Sequence, residues 1–61
     1  MCRFRDVDVG DVVFMDGYYV VLHVEPVSDE HGGMRVVDAG DGYLLAVCGG
    51  RLFILKRIDD E

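Results

Sequence analysis

Residues 12–25 read Val12-Val13-Phe14-Met15-Asp16-Gly17-Tyr18-Tyr19-Val20-Val21-Leu22-His23-Val24-Glu25. Two runs of β-branched and aromatic residues flank an Asp-Gly pair, the leading short-range signal for a β-hairpin with a two-residue turn. Pro26 closes the second run, because it has no amide hydrogen to give to a ladder. Apolar residues do not recur at helical spacing here or elsewhere in the chain, so strands are expected throughout.

The same pattern extends in both directions. Residues 2–9 alternate imperfectly and lead through Gly10-Asp11 into a first strand at 12–15; the second strand covers 18–25. Beyond Pro26 a polar loop runs to Gly33, followed by strands at 34–38, 43–48 and 51–58, with turns at Ala39-Gly40-Asp41-Gly42 and Gly49-Gly50. Five short strands joined mostly by tight turns predict an all-β domain. A small five-stranded barrel or a strongly bent antiparallel meander is expected, since a flat sheet would leave its edges open. The barrel takes up residues 1–58, and Asp59-Asp60-Glu61 form an acidic tail expected to fray.

With 61 residues there is room for one core only. The 51% apolar content places the chain among globular domains. A domain this small usually gains stability from disulfides, a metal or a partner surface. Cys2 lies near the N-terminus and Cys48 in an apolar run, with no signal peptide ahead of them. Reduced thiols in a cytoplasmic protein are therefore expected, with Cys48 as a small buried hydrophobe. The longest stretch free of charge, Gly42 to Gly50, is far shorter than the ~20 residues of a membrane span, so no membrane partner is expected.

The formal charge is −6, and it is unevenly spread. Between Asp6 and Asp41 lie nine acidic residues and one base, Arg35. The remaining bases, Arg3, Arg5, Arg51, Lys56 and Arg57, lie near the two ends and would form one patch if the terminal strands paired. Phosphate neutralisation by Lys and Arg supplies most nucleic-acid affinity, so general DNA or RNA binding is not expected. A nucleic-acid-associated barrel using that terminal patch is the alternative reading.

Phe4-Arg5-Asp6-Val7-Asp8-Val9-Gly10-Asp11-Val12-Val13-Phe14, followed by Asp16-Gly17-Tyr18-Tyr19-Val20-Val21, resembles the opening of small phage and bacterial SH3-like β-barrel proteins. Their N-terminal half reads F-x-D-[LV]-x-[VI]-G-D-x-F, then a turn and an aromatic-led strand. The Val-x-x-Gly-Asp-Val-Val element is also similar to the start of KOW-type modules of translation and transcription factors. The resemblance covers about the first 25 residues and implies a fold. RNA-binding KOW modules carry basic loops, which this chain lacks.

No catalytic constellation emerges. His23, His31, Cys2 and Cys48 show no C-x-x-C or H-x-x-x-H spacing, so neither a metal site nor a cofactor is expected. Ser28 is the single serine and threonine is absent, which leaves nothing for a nucleophile–base pair. The glycine pairs precede no helix and no Lys-Ser or Lys-Thr, so they are turn residues and not a phosphate loop. Most of the aspartates fall at turns, where Asp caps the local backbone. An enzyme is not expected.

Strand parity suggests an interaction surface instead. In the second strand Tyr18, Val20, Leu22 and Val24 oppose Tyr19, Val21, His23 and Glu25; in the fifth, Leu52, Ile54, Lys56 and Ile58 oppose Arg51, Phe53, Leu55 and Arg57. Strands with one buried face should alternate cleanly, and these are apolar on both faces. The expectation is an outer face of Tyr19, Val21, Leu44, Phe53 and Leu55, edged by Asp16, Asp38 and Asp41, that is covered by a protein partner or a second copy. An acidic module of this kind suits an inhibitor or adaptor, with carboxylates steering it toward a basic partner.

Overall fold

In the computed structural model, residues 2–28 and 33–58 are described. They are all-β, with five strands: β1 (Val12–Phe14), β2 (Tyr18–Pro26), β3 (Arg35–Gly40), β4 (Tyr43–Cys48) and β5 (Arg51–Arg57). The expected tail at 59–61 and His31 lie outside the described residues.

All pairings are antiparallel within one sheet of order β1-β2-β5-β4-β3. β3, β4 and β5 form a meander, and β2 lies against the far side of β5. Only neighbours in this order touch, so the sheet is not closed, and β1 and β3 are its edges. The β2–β3 connection must cross about three strand spacings of roughly 4.8 Å, which is why it is the one long loop.

Each hairpin follows from its turn residues. Asp41 and Gly42 both have positive φ (55° and 85°), as do Gly49 and Gly50 (64° and 77°), the signature of the two-residue turns whose twist matches that of the strands. The β1–β2 connection differs from expectation. Phe14 pairs with Tyr18, so Met15, Asp16 and Gly17 make a three-residue loop, with Asp16 at φ 59°.

Gly49 is the most constrained turn position. A Cβ there would lie 3.3 Å from the Cys2 sulfur, whereas a Cβ on Gly40 would meet nothing within 4 Å. Both have positive φ, so alanine at either is expected to cost about 1 kcal/mol in backbone strain. Gly49→Ala should lose measurably more than Gly40→Ala in paired urea melts; equal midpoints would show that the Cys2 contact yields freely.

The core lies on one face of the sheet and is capped by the N-terminal segment, which acts as a strap. Val21, Ala46, Cys48, Phe53 and Leu55 are buried, Phe4 from the strap inserts among them, and Tyr19 completes the cluster. Phe4 meets Phe53 edge to face at 5.2 Å. Each such large apolar side chain contributes about 1.5–3 kcal/mol by burial. Two fixtures hold the strap. Cys2 forms a disulfide with Cys48, their Cα atoms 5.4 Å apart. Arg51 donates to the carbonyls of Phe4 (3.0 Å), Arg5 (2.7 Å) and Val7 (3.3 Å), with its guanidinium carbon 5.0 Å from the centre of the Phe53 ring.

The disulfide corrects the expectation of reduced thiols. Cys48 is buried as foreseen, but it is covalently tied, because the strap brings Cys2 within bridging distance. No helix of the described residues is long and apolar enough to cross a membrane.

Candidate interaction face

A β-bulge determines which residues face the core. β2 pairs Val21 with Leu55 but His23 with Ile54, leaving Leu22 unpaired and reversing the alternation of the strand. Tyr19, Val21 and Val24 therefore share the covered face, while Tyr18, Val20, His23 and Glu25 share the other. The parity expected from the sequence is overturned here. Tyr19, Val21, Phe53 and Leu55, expected to point outward, are buried, and Leu44 packs against them.

The opposite, open face can be read across the ladders in rows. One row runs Val12, Val20, Lys56, Tyr43; the next runs His23, Ile54, Leu45, Val37; the last runs Glu25, Leu52, Val47, Arg35. At the corner by the β1–β2 loop, Phe14 and Tyr18 pair edge to face at 5.1 Å, with 58% of each residue exposed. Val12 and Val37 are similarly exposed, at 56% and 59%. The central residues Val20, Leu45, Val47, Leu52 and Ile54 are half-buried by their own neighbours in the sheet. Nothing in the described chain covers this face. Lys56 lies 4.7 Å from the centre of the Tyr43 ring, its stem along the apolar surface. His23 and Glu25 pair at 3.1 Å, with about half of each side chain exposed.

Two of the acidic candidates occupy turns, and the third lies in β3. Asp16 and Asp41 are at positive φ, and Asp38 accepts from the Gly40 amide at 2.8 Å. Asp8 and Asp11 likewise accept from the amides of Val9 (2.8 Å) and Asp8 (2.9 Å). These carboxylates shape the backbone and lie off the open face.

The bases do not gather into one patch, because the terminal strands do not pair. Lys56 is on the open face and Arg57 on the covered one, its guanidinium about 3.4 Å from a Cβ placed on Gly17. Arg51, at the other end of β5 and thus about 20 Å from Arg57, is turned inward onto the strap carbonyls. Arg3 lines an open groove of about 450 Å³ with Met15, Asp16, Tyr19, Val36 and Leu44. Arg5 is exposed, its carbonyl held by Arg51.

Among the described residues no three His, Cys, Asp or Glu side chains come together as a metal site, and both sulfurs are committed to the disulfide. The residues missed in the sequence are the open-face set. The signal lay in the strand runs themselves, which are apolar at both parities. What was absent was any mark of the bulge at Leu22. The chain matches no family model, no curated protein and no solved structure.

Proposed function

We propose that this protein is a small acidic interaction module that binds a protein through the open face of its sheet. The observation carrying this reading is the set of apolar rows on that face, flanked by an exposed Phe14–Tyr18 pair. A sheet needs a second layer on each apolar face, and the strap supplies one on the covered side only. Contiguous apolar surface of this kind marks an interaction site more often than chance exposure. The carboxylates of Asp16, Asp38 and Asp41 lie off this face, so apolar contact is what would hold a partner there.

The test is a paired capture from the native host, with the wild-type chain and a Tyr18→Asp/Val37→Asp variant as baits. Both positions are more than half exposed, so the fold should tolerate the change. Specific proteins, or added copies of the chain itself, should be retained by the wild type and lost by the variant. Identical retention by both baits would refute binding through this face.

A further inference from the structure

We propose that the occupant of the open face is a second copy of this chain, the two sheets packing face to face as a sandwich about a two-fold axis. This rests on the interaction-module reading and names its partner.

Three observations fit a second copy. The first is charge. The chain carries −6, yet among the described residues the open face holds one acid, Glu25, and two bases, Arg35 and Lys56. Two such faces bring few like charges into contact, and the repulsion between the outlying carboxylates of two −6 chains is screened at moderate salt, while a basic partner would be drawn to those carboxylates instead. The second is area. Five strands about 4.8 Å apart, each about six residues long at about 3.3 Å per residue, give a face of roughly 475 Å². Two copies would bury about 950 Å² between them, at the low end of interface sizes, where weak associations fall.

The third is that the edges are guarded and the face is not. β1 is only three residues long, and β3 carries Arg35, Asp38 and a register shift between Asp38 and Gly40. Short edges, charges and bulges are the means by which proteins block strand-to-strand pairing. A face-to-face pair is also isologous and closes at two copies.

Sedimentation of the intact, disulfide-bonded chain from low micromolar to submillimolar concentration tests this. A monomer–dimer equilibrium with micromolar dissociation constant is expected. Tyr18→Asp and Val37→Asp should each weaken it about 10-fold or more, because each would bury an unpaired carboxylate. Val36→Asp is the control: Val36 neighbours Val37 on β3 but lies on the opposite face, 40% exposed. It should leave the dimer unchanged. Amide dispersion in NMR spectra of each variant confirms the fold. A monomer at every concentration overturns the proposal, and so does a dimer indifferent to Tyr18→Asp and Val37→Asp. A dimer equally sensitive to Val36→Asp points to β3 edge pairing and overturns it as well. A monomer that still captures a host protein through Tyr18 and Val37 removes the second copy while the interaction-module reading stands.

Discussion

Reducing the Cys2–Cys48 bond, or replacing Cys48 with alanine, is expected to destabilise the protein by about 4 kcal/mol. The bond closes a loop with a sequence separation of 46, and tying a loop of that length removes about this much freedom from the unfolded chain. A domain of this size has a total stability of only roughly 3–9 kcal/mol, so the reduced chain should be largely unfolded in mild denaturant. The bond also positions the strap, which delivers Phe4 against Phe53 and presents the carbonyls that Arg51 grips. Urea melts with and without a reductant would show the difference. Coincident midpoints would mean that Arg51 and Phe4 hold the strap unaided.

The fold class could be read from turn chemistry, because Asp-Gly and Gly-Gly pairs between β-branched runs have few other uses. Gly49-Gly50 adopts the two-residue turn expected of it, whereas the four-residue turn expected at 39–42 contracts to Asp41-Gly42 because β3 runs on to Gly40. Long-range pairing was less legible. That β2 lies against β5 depends on how far the loop after Pro26 reaches, and loop composition does not encode a destination.

The face assignment failed for two physical reasons. The bulge at Leu22 shifts the alternation within a run whose residues are nearly all apolar, so no polar residue marks the change. In β5, Arg51 and Arg57 made their side of the strand look solvated. Both are at the strand ends, where a long stem allows an arginine to share the core face while its head finds carbonyls or water. Arg51 covers Phe53 instead of displacing it. The disulfide was hidden for a related reason: Cys2 and Cys48 come together only once the strap has folded across the sheet.

Phe53→Ala is expected to cost about 3–5 kcal/mol, the range for deleting a buried aromatic ring. Phe53 is buried at the centre of the covered face, with Ala46 and Val24 beside it in the ladder, Phe4 against its edge and Arg51 over its ring. The strap cannot settle into the space left, because the disulfide and the Arg51 bonds fix its height above the sheet. Most of the cavity should therefore remain open. Its neighbour in sequence gives the contrast. Ile54 points to the open face and is half-buried by cross-strand neighbours, so at dilutions where the chain is monomeric Ile54→Ala should lose only about 1 kcal/mol. Val37→Ala, at an exposed edge position, should stay within about 0.5 kcal/mol. At concentrations where two copies associate, the Ile54 and Val37 variants should lose additional apparent stability and Phe53→Ala should not, because only the open face is then linked to association. Denaturant melts of the three variants at two protein concentrations separate these contributions. An Ile54→Ala loss matching that of Phe53→Ala in the dilute series would mean that the two faces of the sheet are equally buried in the monomer and that neither is open to a partner.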